Sequence, residues 1–299
     1  MSPTPGDSAD RPVDSPLLTK LRRRARATTR QAGRLSSSAR MTPDFLIVGA
    51  QRCGTTSMFK TLSQHPAVLP AVLHKGVHYF DKHYGRGMAW YRGHFPLQAS
   101  AWRAERRTGT RPVTGESSPY YMFHPLAGQR IASDLPGVRL VVLLRDPVER
   151  AYSAYTHERA RGYESETFER ALELEPARVA GEYDRFVADP FYDSHHLQHN
   201  AYLTRGQYVE QLERLERLVG RERIHAVDSQ QFFTDPSPVY AEVLDFLGLP
   251  PYPETHFDRH NARHRSALSP DLRERLDAHF QPYDERLARW LGETPGWRR

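Results

Sequence analysis

Phe45-Leu46-Ile47-Val48-Gly49-Ala50-Gln51-Arg52-Cys53-Gly54-Thr55-Thr56-Ser57 runs from a short apolar segment into a glycine loop. An amphipathic stretch with Met58, Phe59 and Leu62 follows. That order predicts a strand, a phosphate-cradling turn and a helix. The Gly49-to-Gly54 spacing matches the nucleotide-triphosphate loop G-x-x-x-x-G-K-[ST], except that Thr55 stands where the lysine belongs. Backbone N–H groups and a helix N-terminus still suit an anion. The point charge that a kinase places on the β- and γ-phosphates is missing, and the nearest cation, Arg52, lies inside the loop. The expected ligand is a phosphorylated nucleotide that is not an ATP phosphoryl donor.

Outward from this loop, apolar runs at Phe45–Ala50, Val138–Leu144 and Ile224–Val227 alternate with helical patterns at Thr56–Ser63, Pro147–Arg161, Gln207–Val219, Pro238–Leu247 and Pro270–Phe280. Val138–Leu144 is almost wholly apolar, as a strand covered on both faces would be. Strands separated by helices imply parallel pairing. The fold class read from this is α/β, a three-layer, P-loop NTPase-like arrangement with a central, mainly parallel sheet flanked by helices. Residues 42–299 read as one domain, and residues 1–41 as a basic, disordered tail in which Lys20–Arg26, Arg30, Arg34 and Arg40 are set among few apolar residues. Pro250–His264 reads as a loop.

The 299-residue chain carries a formal net charge of +6, which favours anionic partners. Its single cysteine, Cys53, excludes an intrachain disulfide framework. No apolar run approaches the roughly 20 residues a bilayer requires, and the N-terminus lacks the apolar core of a secretory signal, so the expected location is the cytoplasm. The histidines show no zinc spacing, and the closest cluster, His195, His196 and His199, reads as loop residues.

A second constellation is Leu144-Arg145-Asp146-Pro147-Val148-Glu149-Arg150-Ala151-Tyr152-Ser153. A buried strand delivers Arg145 to the carboxyl edge of the sheet, where open α/β folds bind ligands. Ser153 lies about two helical turns further on, so strand end and helix can grip one anion together. An ion pair of Arg145 with Asp146 or Glu149 is the structural alternative.

Together these two segments resemble the sulfotransferases that use 3′-phosphoadenosine 5′-phosphosulfate (PAPS), most closely the bacterial and heparan-sulfate-type branch. Weaker supporting segments fall in the right order: Lys75–Asp81, Gly87–Tyr91, Gly115–Tyr121 and Phe246–Leu249. The resemblance implies that Gln51, Arg52, Cys53, Gly54, Thr55, Thr56 and Ser57 hold the 5′-phosphosulfate. It implies that Arg145 and Ser153 hold the 3′-phosphate, and that Arg263 sits in a basic loop over the nucleotide. Two departures stand out. Arg52 replaces a lysine common in heparan-type members, and Gly76 falls where those enzymes carry the glutamate base. His78 is then the first candidate for the base, with an ordinary pKa suited to neutral pH, and Glu116 the second. Arg52 is expected to meet charge on the leaving oxygen, and Lys75 to steady the transferring group.

The implied activity is in-line sulfuryl transfer from PAPS to an acceptor hydroxyl of a sugar, lipid or phenolic metabolite, releasing adenosine 3′,5′-bisphosphate (PAP). The sulfuryl group bears less negative charge than a phosphoryl group, so fixed cations and dipoles suffice and no metal is expected. Two rivals are a nucleotide-dependent kinase and a nucleic-acid binder acting through the basic tail. Thr55 and Arg145 speak against the first, and no nucleic-acid partner is expected.

Overall fold

The computed structural model describes residues 33–72, 74–257 and 268–299. Four parallel strands form its centre: β1 (Phe45–Gly49), β2 (Gly115–Ser117), β3 (Arg139–Leu144) and β4 (Ile224–Asp228), in the spatial order β2-β1-β3-β4. Every residue of β1 is buried, and so is β3 after Arg139. That explains their uninterrupted apolar sequence, because helices cover both faces. Helix Tyr208–Val219 packs against helix Pro270–Leu291 and helix Ala127–Asp134, while helix Thr55–Leu62 packs on β1 and β2.

β2 escapes a reading by hydrophobicity. It is only Gly-Glu-Ser, and it pairs with β1 at Phe45–Gly115, Leu46–Glu116 and Ile47–Ser117. A Cβ on Gly115 would lie 2.5 Å from the Phe45 carbonyl oxygen, so this close pairing requires glycine. Helix Pro270–Leu291 continues eleven residues past the expected end at Phe280, with Pro282 inside it. Leu272, Leu276, Phe280 and Leu287 are buried along one face, and this packing outweighs the cost of an internal proline.

The packed part of the chain also begins before Thr42. Arg40 donates to the Phe95 carbonyl at 2.6 Å, the Met41 N–H donates to the Pro96 carbonyl at 2.9 Å, and Gly33 lies against Gly93. Residues 33–41 therefore dock on the domain instead of belonging to a tail. No helix among the described residues is long and apolar enough to cross a membrane.

All four strands point the same way, so their carboxyl ends share one edge. β1 delivers the glycine loop there, β2 delivers Ser117 and Ser118, and β3 delivers Arg145. Pro147 and the Asp146 carboxylate start the next helix, and that carboxylate accepts the Val148 and Glu149 N–H groups.

Candidate active site

The loop after β1 turns through two left-handed residues, Arg52 (φ 71°) and Gly54 (φ 89°), before helix Thr55–Leu62 begins. A Cβ on Gly54 would lie 2.8 Å from the Phe233 ring, so both φ and space ask for glycine. Cys53 is fully buried, with Sγ 3.7 Å from the Tyr208 hydroxyl. Burial pushes its thiol pKa up, which makes it a packing residue of the loop with no thiolate to offer. Thr55 and Ser57 are buried as well, and Thr56 is half-buried.

Two contacts tie this loop to the rest of the edge. Arg52 Nε donates to Ser153 Oγ at 3.1 Å, so the first anion motif touches the second. Lys75 Nζ donates to Thr56 Oγ1 at 2.8 Å. The cation standing over the loop hydroxyl is therefore Lys75, while Arg52 leans toward the Arg145 motif. Burial, partly offset by the Glu116 carboxylate, pulls the Lys75 ammonium down to about 8. Arg145 pairs with Glu149 at 3.1 Å, and its carbonyl accepts the Tyr208 hydroxyl. Asp146 pairs with Arg273 at 2.8 Å besides capping its helix, so both of its oxygens have structural partners.

A cleft of about 590 Å³ opens beside the loop, lined by Gln51, Lys75, Gly76, His78, Lys82 and Arg86 among others. No aspartate or glutamate is among the described residues that line it. The cleft is thus strongly cationic and ready for anionic ligands.

Glu116 and His78 separate clearly here. Glu116 is wholly buried on β2 and accepts from the Val77 N–H at 2.6 Å, Ser118 Oγ at 2.6 Å, the Tyr121 hydroxyl at 2.7 Å and the Tyr91 hydroxyl at 3.1 Å. Burial pushes its pKa up against the Ser118, Val77 and Tyr121 donors. With both oxygens taken and no face on the cleft, Glu116 organises the wall instead of meeting an acceptor, which corrects its candidacy as a base.

His78 does face the cleft. It adopts a left-handed conformation (φ 54°), its N–H donates to Ser118 Oγ, and its Nδ1 lies 2.8 Å from Asp81 Oδ2. Burial alone would lower the imidazole pKa, but the hydrogen bond and charge of Asp81 outweigh it and the net shift is upward. A Cβ built on Gly76 would lie 3.5 Å from His78 Nε2 and 2.6 Å from the Ser117 carbonyl oxygen. The imidazole therefore borders the space that a side chain at position 76 would enter, and the backbone of β2 leaves no room for one.

Asp81, the partner of His78, carries no role in the sequence reading, although its i+3 spacing from His78 is a usable signal. Arg205 also lines the cleft, and no local pattern around it announced that. Arg263 lies outside the described residues. His195, His196 and His199 form part of a short helix, where His199 Nδ1 sits 2.9 Å from Glu158. No group of potential ligands able to hold a metal occurs among the described residues.

Residues 42–266 match the family model described as a sulfotransferase domain. The chain is 24% identical to the membrane-associated sulfotransferase kil1 of Dictyostelium discoideum, over 85% of this chain and 66% of that protein. It is 25% identical to human heparan sulfate glucosamine 3-O-sulfotransferase 5, over 88% of this chain and 76% of that one. A crystal structure of a sulfotransferase from Alicyclobacillus acidocaldarius superposes with a TM-score of 0.63 at 29% identity, covering 87% of this chain and all of the other.

Proposed function

The chain belongs to the sulfotransferase family, and on that premise we propose that it transfers a sulfuryl group from PAPS to an acceptor hydroxyl, with the two anion motifs holding the donor and His78 serving as base. The observation that carries this reading is the contact between Arg52 and Ser153, which brings the loop and the Arg145 motif to one point of the sheet edge. The chemistry PAPS supplies is a sulfuryl group on a phosphate leaving group.

Loop N–H groups and the Thr56 hydroxyl bind the 5′ end of the nucleotide. Arg145, Ser153 and Arg52 bind its 3′-phosphate, since planar guanidinium groups match phosphate oxygens. Lys75, already on Thr56, meets the charge that grows on the bridging oxygen; this moves to Lys75 the role expected of Arg52. His78 Nε2 takes the acceptor proton as the new O–S bond forms and the bond from sulfur to the phosphate oxygen breaks in line. The resulting imidazolium is stabilised by Asp81.

A carbohydrate acceptor bearing anionic groups fits this reading best. The cleft carries cations without carboxylates, and one relative, human heparan sulfate glucosamine 3-O-sulfotransferase 5, is named for sulfation of heparan sulfate glucosamine. The test is calorimetry with PAP and ATP, then sulfate transfer from labelled PAPS to sugars, phenols and lipids. PAP bound in preference to ATP, with label reaching a hydroxyl, is expected; phosphorylation of an acceptor by ATP, or no binding of PAP, would defeat the proposal.

The pH profile of kcat/KM for PAPS supplies a further prediction. Lys75 is cationic only below its lowered pKa, so activity should fall as pH rises through about 8. Lys75→Arg, whose charge persists, should remove that basic limb; a limb unchanged in the variant would show that Lys75 is not its source.

A further inference from the structure

Two arginines are buried at the cleft, Arg205 in its lining and Arg150 outside it, and neither touches a carboxylate among the described residues. Arg150 is fully buried on helix Pro147–Ala160 and donates through Nη2 to the Tyr202 carbonyl, while its Nε and Nη1 find no partner among the described residues. Arg205 is 3% exposed and lies against the Tyr120 and Phe123 rings. It donates through Nη2 to the carbonyls of Leu197 and Gln198 and through Nη1 to Gln51 Oε1, and its Nε is likewise unpartnered. Burial lowers the Arg205 pKa to about 10, with the nearby Arg150 charge adding to it and the more distant Glu158 and Glu175 opposing it, which leaves it a cation at neutral pH. Buried charge with no carboxylate in contact is costly, and a site that receives an anion is where such a cost has a use.

The contact with Gln51 gives that charge a direction. A guanidinium has only donors, so it can hold only the oxygen of the amide. The orientation of Gln51 is therefore fixed by chemistry: Oε1 is taken by Arg205, and the Nε2–H bonds belong to the other branch. Gln51 lines the cleft together with Lys75, Gly76 and His78, and it immediately precedes Arg52 in the loop. A cation on the oxygen also polarises the amide and strengthens its N–H groups as donors.

We propose that Arg205 locks the Gln51 amide so that its Nε2–H group donates to the sulfonate of PAPS, making Gln51 and its positioning residue Arg205 the elements that distinguish the loaded donor from the spent one. This inference rests on the sulfotransferase reading. PAPS and PAP share the adenosine and the 3′-phosphate, so the Arg145 grip treats them alike, and the sulfonate is present in the donor alone. A group that reads the sulfonate favours the donor over the product and lets the product leave.

The test is a titration of the full chain with PAPS and with PAP, without an acceptor. Gln51→Ala should weaken PAPS about tenfold, the scale of one hydrogen bond to a charged group, and change PAP by no more than about twofold. Arg205→Gln should show the same split, and Arg205→Lys, which keeps the charge and can still donate to Gln51, should recover part of it. Equal losses for both ligands, or no loss, would overturn the inference, because a merely structural role cannot tell PAPS from PAP. If thermal melting shows that the Arg205 variants fail to fold, Gln51→Ala, a change in the loop, decides alone. A wild-type chain that binds neither nucleotide would overturn the sulfotransferase reading and this inference with it; one that binds both, with no split in the variants, would overturn this inference only.

Discussion

His78→Ala should cut turnover by about two orders of magnitude or more, the scale of losing a general base, while PAP binds as before. The reason is local. Gly76 offers no side chain, Glu116 is enclosed within the fold on β2, and His78 is the cleft-facing imidazole held by a carboxylate. Asp81 accepts from Nδ1–H, which leaves the Nε2 lone pair for the acceptor. Asp81→Asn should therefore lower the maximum rate too, and it should also move the acid limb of the kcat/KM profile.

The sign of that move follows from the groups around the ring. Asp81 and Glu116 favour the imidazolium, Lys82 opposes it, and the net pKa stands above the ordinary value. His83 and the edge-on Tyr121 ring complete the surroundings. The neutral base thus accumulates only as pH rises through this elevated pKa. Removing the Asp81 charge lowers the pKa, so the acid limb should shift to lower pH even as the plateau falls. A limb that stays in place, or an active His78→Ala enzyme, would remove the histidine from the mechanism.

Arg145→Ala should weaken PAP by about thirty- to a hundredfold, and adenosine 5′-phosphate far less, because a charge-assisted contact with phosphate contributes roughly 1.5–3 kcal/mol. Its present partner is Glu149, at 3.1 Å in a pair whose side chains are both partly solvent-exposed. Such pairs contribute little, so exchanging Glu149 for a dianionic phosphate is favourable. Ser153→Ala should show the same preference in smaller measure, since it removes a neutral hydroxyl and frees the Arg52 guanidinium from its hydrogen bond. Equal losses for the two nucleotides would mean that Arg145 does not recognise the 3′ group.

The legible part of this protein was the part written in local pattern. β1 and β3 read correctly because burial on both faces leaves an unbroken apolar run. The helix after Arg145 read correctly because Pro147 marks its first turn, while the capping role of Asp146 emerged only from its hydrogen bonds. β2 was missed because three residues carry no period, and its glutamate looked like a candidate base for the same reason. Whether a carboxylate faces solvent or four hydrogen-bond donors depends on tyrosines and a serine supplied from several segments.

The sequence alone determined the parallel α/β sheet, the loop that begins at Gly49, the arginine that follows β3 and the missing side chain at position 76. These follow from hydrophobic periodicity, glycine conformation and residue identity, which act over a few neighbouring residues. The tertiary structure alone decided that Arg52 leans on Ser153, that Lys75 stands over Thr56, that Glu116 is enclosed, and that Arg205 reaches Gln51 across 154 positions of chain. Each of those outcomes depends on which groups meet at one sheet edge, and chain folding brings them together irrespective of their distance in sequence.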